Sequence, residues 1–207
     1  NDTLNVTLNS SFAGFNDDAG VQNVETLNLI NNGTIARNFN AANISGVETI
    51  NLEGGINLQN LEALGATIGI ADTADNVSIG IAESAAEGSD DTLNLALSNV
   101  GSIDEDGDIE AATITADAGT EAVENLNLQV SGPSAVNLDG IAASNLTVTG
   151  DGTLVITDVA DGLEALDAST AEGDINATIT GADAASVTLG SGNDTLTAAA
   201  GDLTTNA

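Results

Sequence analysis

The chain of 207 residues carries 32 acidic residues against one basic residue, Arg37, and its formal net charge is −31. A surface without basic side chains cannot neutralise phosphates, so these numbers exclude nucleic acid as a partner and argue against bare anionic lipid. The sequence has no His, Cys or Tyr, and Ser-His-Asp and Cys-His catalytic arrangements therefore cannot form. We expect a protein that is not an enzyme. Because carboxylate pairs remain, a β-helical polysaccharide lyase or hydrolase is the enzymatic alternative.

The hydrophobic fraction of 42% argues against disorder despite the charge. Only 1% of the residues are aromatic, so Ala, Val, Ile and Leu must build the core, and such a core is narrow. No apolar run approaches the roughly 18 residues of a membrane span, and we expect no membrane insertion. A net charge of this size opposes compaction, and the chain needs counter-ions or divalent cations to offset it.

A short motif recurs along the chain, in which Thr-Leu-Asn-Leu or a variant follows an acidic residue. Its copies occupy residues 1–8, 24–30, 47–55, 90–97 and 123–130, with looser copies at 144–150, 163–169 and 186–197. Each copy alternates apolar and polar residues, which predicts a strand with one buried side. Gly, Asn or Asp follows most copies and permits tight turns.

The spacing between copies predicts how the strands are arranged. Equivalent apolar positions lie 23 residues apart at Leu4, Leu27 and Ile50, 21 apart at Leu93 and Ile114, and 20, 20 and 21 apart at Leu126, Leu146, Leu166 and Val187. One strand every 20–23 residues predicts a parallel β-solenoid, with a β-sandwich as the alternative. We expect residues 1–207 to form one elongated solenoid segment of a larger protein, with a register break or loop insertion around 71–122. The Ala-rich stretches 60–64 and 161–168 are expected to form single turns of helix.

The clearest metal-binding motif lies near the end of the chain. Residues 189–197 match the calcium-binding nonapeptide G-G-x-G-x-D-x-U-x from its second position onward. Gly190 and Gly192 allow the backbone to curl so that its carbonyl oxygens face an ion, and Asn193 precedes Asp194, which supplies a charged oxygen. Calcium takes six to eight oxygen ligands, so one copy is a half-site that a neighbouring turn must complete. The plain alternative is an ordinary Gly-Asn turn.

Weaker calcium candidates occur elsewhere in the chain. Asp2 and Asp91 belong to partial copies of the same motif. A separate acidic stretch places carboxylates around a glycine and resembles the start of a calcium loop; its candidate ligands are Asp104, Asp106, Asp108 and Glu110. The distal Glu of an EF-hand loop is not at its position, and a solvated acidic loop is the alternative interpretation.

These motifs together lead to a family. The sequence ISGVETINLEGG at residues 44–55 resembles the repeat of RTX-type S-layer proteins from Gram-negative bacteria. Residues 123–200, where three strand motifs precede the nonapeptide, are similar to those proteins and to related type I-secreted adhesins. The resemblance implies a right-handed β-solenoid that folds with Ca²⁺ after export and assembles with copies of itself into a lattice at the cell surface. Outer-membrane lipopolysaccharide would be the partner of another domain, and a repeat or spacer region of an adhesin is the alternative function.

Overall fold

The computed structural model describes residues 1–16, 19–104, 106–181, 185–199, 201 and 203. This part of the chain is built from β-strands, and its one helical element is a single 3₁₀ turn at Glu83–Ala85. The strands are β1 Thr3–Thr7, β2 Val21–Gln22, β3 Thr26–Ile30, β4 Arg37–Asn40, β5 Ile44–Ser45, β6 Thr49–Glu53, β7 Ile56–Leu61, β8 Thr67–Thr73, β9 Val77–Ile81, β10 Thr92–Val100, β11 Ser102–Ile103, β12 Ile109–Glu110, β13 Ala112–Asp117, β14 Asn125–Val130, β15 Ser134–Leu138, β16 Asn145–Gly150, β17 Leu154–Val159, β18 Ala165–Ala171, β19 Ile175–Ile179, β20 Ser186–Thr188 and β21 Thr195–Ala198.

The strands stack into two long parallel sheets. Sheet A has nine strands in the order β1-β3-β6-β8-β10-β14-β16-β18-β20, and sheet B has eight in the order β4-β7-β9-β13-β15-β17-β19-β21. The strands β2 and β5 form a short parallel pair at one corner, and β11 and β12 form an antiparallel hairpin. Because strands of sheets A and B alternate along the chain, the protein is a β-solenoid of about nine turns, which confirms the predicted fold and not the sandwich alternative.

The register of sheet A gives the length of each turn. One row of partnered residues runs through Thr3, Thr26, Thr49, Thr67, Asn94, Asn127, Thr147, Asp167 and Thr188, and successive members are 23, 23, 18, 27, 33, 20, 20 and 21 residues apart. The longest turn, between β10 and β14, contains the β11–β12 hairpin. The hairpin adds length at a corner without moving the strands on either side out of the stack.

The core consists mainly of aliphatic side chains that pack between the two sheets. In sheet A, the motif residues Leu27, Leu29, Ile50 and Leu52 are each at most 1% exposed, and Ile56 of sheet B is completely buried. Inward side chains of both sheets belong to one hydrophobic cluster. Burying apolar area stabilises by about 25 cal/mol per Å², so the burial of this cluster stabilises the stack of turns.

The three phenylalanines lie together at the first two turns. The rings of Phe12 and Phe15 meet edge to face with centroids 4.9 Å apart, and the rings of Phe12 and Phe39 stack at 5.0 Å. Phe12 also pairs with Phe39 in a parallel bridge that extends sheet B by one turn. Phe39 is buried in the core, whereas Phe12 and Phe15 are half-buried, and the three rings cover this end of the aliphatic core.

Three local expectations from the sequence are wrong. Residues 60–64 and 161–168 form no helix, because Asn60 and Leu61 belong to β7 and the second stretch runs into β18. Ile114 is not the equivalent of Leu93, since Ile114 lies in β13 of sheet B and Leu93 lies in β10 of sheet A. The residue that pairs with Leu93 on the next turn is Leu126. Strands of both sheets alternate apolar and polar residues, so this pattern does not distinguish sheet A from sheet B.

Candidate metal sites and the polar face of sheet A

Acidic residues line the corner at which the chain enters sheet A. The residue immediately before the strand is acidic in six of the nine turns, and we call this set the acidic column: Asp2, Glu25, Glu48, Asp91, Glu124 and Glu164. The backbone at this corner is hydrogen-bonded from turn to turn, for example from the Glu48 N–H to the Glu25 carbonyl at 2.9 Å. Neighbouring turns of a parallel stack are about 4.8 Å apart, so the backbones of acidic residues on adjacent turns are separated by about that distance.

Two glutamates of the acidic column reach back to the previous turn. A Glu25 carboxylate oxygen accepts a hydrogen bond from the Asp2 backbone N–H, and a Glu124 oxygen accepts one from the Asp91 N–H at 2.8 Å. The Asp2 N–H is the main cause that holds the pKa of Glu25 below its usual value. The predicted residues Asp2 and Asp91 are therefore each brought beside a glutamate that we did not predict. Its position in the motif, directly before Thr-Leu or Asn-Leu, could have identified it.

The nonapeptide at residues 189–197 forms the opposite corner, between sheets A and B, and ends in β21. The Asn193 N–H donates to an Asp174 carboxylate oxygen at 2.7 Å, and the Asp194 carboxylate accepts from the Ile175 N–H at 3.0 Å. The carboxylates of Asp174 and Asp194, which lie on adjacent turns, thus each accept a hydrogen bond from the backbone of the other turn. Asp174 was missed in the sequence because only its spacing of about one turn from Asp194 distinguishes it.

Glycines of this corner stack directly on one another. A Cβ added to Gly192 would collide with the carbonyl oxygen of Gly173, and one added to Gly173 would collide with that of Gly152. A Cβ on Gly190 would meet the Ala171 carbonyl oxygen. The backbones of successive turns are therefore in contact here without an intervening side chain. The Gly152 carbonyl oxygen lies next to Gly173, and the Gly173 carbonyl oxygen lies next to Gly192.

The second predicted calcium loop is the turn of the β11–β12 hairpin. One Asp104 oxygen accepts from the Asp106 N–H at 3.0 Å and the Asp108 N–H at 2.8 Å, while Gly107 takes a positive φ of 84°. Asp104 therefore organises the turn, and the side chains of Asp106, Asp108 and Glu110 are exposed to solvent. The structure does not direct these carboxylates to a common point.

Asp91 closes another tight turn. Its Oδ2 accepts from the Gly88 N–H at 2.8 Å, and the neighbouring Asp90 carboxylate accepts from the Asn125 amide at 2.8 Å. Within the described residues, no three acidic side chains converge closely enough to form a metal site by themselves. Any bound cation would have to draw on backbone carbonyls or on water for its remaining ligands.

Glu53 is exposed on the outward side of sheet A at the end of β6, but the two outward rows before it form an uncharged surface from β1 to β16. We call it the Thr/Asn face, and its residues are Thr3, Asn5, Thr26, Asn28, Thr49, Asn51, Thr67, Gly69, Asn94, Ala96, Asn127, Gln129, Thr147 and Thr149. Its asparagines form amide ladders, in which the Asn28 amide donates to Asn5 at 2.7 Å and the Asn51 amide donates to Asn28 at 2.8 Å. Parallel stacking in register makes such ladders, because identical residues meet on successive turns.

Comparison with protein-family models, curated proteins and solved structures finds no match to this chain. Among the described residues, no helix has the length and apolar character needed to cross a membrane.

Proposed function

We propose that this chain is a structural module of a bacterial surface layer, secreted to the cell surface, stabilised by Ca²⁺ and assembled with copies of itself into a lattice. The observation that carries the proposal is the recurrence of acidic residues at the solenoid corners on adjacent turns. Asp2, Glu25 and Glu48 occupy three consecutive turns, and Asp174 and Asp194 bracket the glycine corner. The resemblance to RTX-type S-layer repeats supplies the biological setting.

The electrostatics support a role for a divalent cation. Two unit charges about 5 Å apart repel by roughly 1 kcal/mol even in water, and a parallel stack repeats this repulsion from turn to turn. The one basic side chain, Arg37, lies in β4 of sheet B, and within the described structure its Nε is buried without a hydrogen-bond partner. Since the protein supplies almost no positive charge, a cation that binds the folded stack would stabilise it by mass action.

The composition supports a structural role. The chain lacks His and Cys, and asparagine side chains on sheet A form hydrogen-bonded ladders between turns. These ladders hold neighbouring turns in register and stiffen the sheet. A stiff, repetitive coil of this kind suits a load-bearing layer.

The test is thermal unfolding by calorimetry in chelator, in millimolar Ca²⁺, and in Mg²⁺ at the same ionic strength. Calcium at one hundred times its Kd would add about 2.7 kcal/mol, which corresponds to roughly 5–10 °C in Tm for a chain of this size. Mg²⁺ should give a smaller shift because it demands a rigid octahedral site. Equal Tm values in chelator and in calcium would contradict the calcium part of the proposal.

Paired variants locate the ion. Asp174→Asn combined with Asp194→Asn should reduce the calcium-dependent rise in Tm, whereas Asp106→Asn combined with Asp108→Asn, on the exposed hairpin turn, should leave it unchanged. The assembly part of the proposal is tested separately by light scattering and electron microscopy with calcium. Ordered two-dimensional arrays are expected for a surface layer, and extended monomers would favour the adhesin spacer instead.

A further inference from the structure

The acidic residues are strongly segregated within the fold. Of the 32 in the chain, the described strands of sheets A and B contain five: Glu53, Asp72, Asp117, Asp158 and Asp167. Four of these, all except Asp167, stand at or next to a strand end. The other acidic residues of the described chain lie in corners, loops and the hairpin. The charge of the molecule is therefore concentrated along the edges of the solenoid, and its two flat sides are close to neutral.

The two flat sides differ in regularity. The Thr/Asn face keeps one register from β1 to β16, and its first shift comes only between Thr147 and Thr149. Sheet B shifts register between β7 and β9 and again between β15 and β17, and Asp158 stands on its outward side. Seven successive strands of sheet A thus keep one register through two outward rows without a charged side chain, and Glu53 and Asp72 lie outside these rows, near the ends of β6 and β8. The stack of sheet B is interrupted by its two register shifts.

The ladders on this face leave part of each amide free. An asparagine side chain has two N–H donors and an oxygen with two lone pairs, and the ladder uses one donor and one acceptor. The remaining donor and acceptor of Asn28 and Asn51 are held in fixed positions without a partner from the described residues. The ladders have therefore already ordered the side chains before any partner binds, which lowers the entropic cost of a contact.

The Thr/Asn face is not flat. A shallow hollow of about 290 Å³ lies beside Asn94, Asn127 and Thr147, next to the exposed side chain of Gln129. A hollow and a projecting side chain on one surface allow that surface to fit a rotated copy of itself, as a two-fold contact requires.

We propose that the Thr/Asn face is the surface through which two copies of this chain associate, packed face to face about a two-fold axis. The inference rests on the self-assembly in the proposed function and names the surface that performs it. Two molecules of net charge −31 repel each other, so they can approach closely only where neither presents carboxylates. Free amide groups and threonine hydroxyls then supply both donors and acceptors to the partner's identical face.

The size of the face predicts a weak contact. Seven strands about 4.8 Å apart and two outward rows give an area of roughly 400 Å² per molecule. A stable pair of proteins buries about 800 Å² on each partner. A single contact is therefore expected to be transient in solution, and it becomes effective when a longer solenoid or a lattice repeats it.

The test introduces charge on one face at a time. Thr26→Glu with Thr49→Glu places two carboxylates on the Thr/Asn face, and Thr113→Glu with Thr178→Glu places two at similarly half-buried outward positions of sheet B. Assembly is followed by sedimentation and light scattering in millimolar Ca²⁺, with circular dichroism to check that each variant is folded. We expect the first pair to raise the protein concentration needed for assembly by at least about tenfold, because like charges then face each other. The second pair should have little effect.

The absence of cysteine provides an independent measurement. Single variants Thr49→Cys and Thr178→Cys each carry one thiol, and a short bismaleimide cross-linker joins two chains only where their thiols come close. Cross-linking at position 49 well above that at position 178 is expected. If the wild-type protein assembles but neither charge pair discriminates and both cysteines cross-link equally, the face assignment is overturned and the proposed function stands. If the wild-type protein does not assemble with calcium at any concentration and position 49 does not cross-link, both fail together.

Discussion

Sheets A and B enclose the same core but are built in different ways. Sheet A repeats one motif in register, so that Thr meets Thr and Asn meets Asn on successive turns. Sheet B uses varied sequences, and at β7 the extra residue of a bulge is absorbed by Asn60, which takes a positive φ of 53°. Sheet A thus keeps its register from β1 to β16, whereas register shifts interrupt sheet B at two places.

The largest effect is expected from shortening side chains in the core that the two sheets share. Ile50→Ala in sheet A and Ile56→Ala in sheet B each remove a side chain that is at most 1% exposed. We expect each to lower the free energy of unfolding by about 2–5 kcal/mol, because both leave a cavity in a close-packed interior. Urea unfolding measures the loss. A large cost in sheet A and almost none in sheet B would show that the cluster does not act as one core.

The amide ladder gives a smaller and more specific effect. Asn28→Ala removes two hydrogen bonds between turns, at 2.7 and 2.8 Å, and should cost roughly 1–2 kcal/mol. Asn176→Ala is the matched control, since Asn176 faces outward on β19 and its side chain makes no hydrogen bond among the described residues. That change should stay within about 0.5 kcal/mol. Equal losses in the two variants would mean that the ladder does not distinguish sheet A from sheet B.

The smallest expected effect concerns the corner of sheet A and depends on pH. Folding lowers the pKa of Glu25, chiefly through the Asp2 N–H. The stability that this contact contributes is therefore complete above the unfolded pKa of roughly 4.3 and is lost as the pH falls through the folded pKa. We expect wild type to be more stable than Glu25→Gln at pH 7, and the difference to shrink below about pH 4.

Glu48→Gln controls for the loss of one negative charge at this corner. Glu48 occupies the same position one turn later, and in the described structure its carboxylate accepts no hydrogen bond. Denaturant unfolding from pH 7 to pH 3 compares the three proteins. A gap between wild type and Glu25→Gln that widens as the pH falls would contradict the assignment.

Half of the strand pattern was readable from the sequence. The motif copies at residues 24–30 and 47–55 correspond to β3 and β6, and the looser copies correspond to β16, β18 and β20 with β21. Most strands of sheet B could not be predicted from the sequence, because they share no motif; examples are Arg37–Asn40 and Ser134–Leu138. A strand of four or five residues without a repeat cannot be told from a loop by alternation alone.

The candidate site shows the same division. Gly190, Gly192, Asn193 and Asp194 lie together at one corner, in contact with the turn before it, and calcium binding there stays a prediction. Its partner Asp174 could not be named in advance. Asp104, another predicted ligand, uses one carboxylate oxygen to accept hydrogen bonds from backbone N–H groups of its own turn.

The sequence by itself determined the alternation that makes the strands, the aliphatic core and the placement of acidic residues directly before them. These are local properties, fixed by side chains two residues apart or by single positions. Only the tertiary structure decided which residues meet across turns, because turn lengths vary from 18 to 33 residues and each change shifts what lies opposite. The neutral Thr/Asn face and the pairing of Asp174 with Asn193 both depend on that register, which the packing of the two sheets fixes.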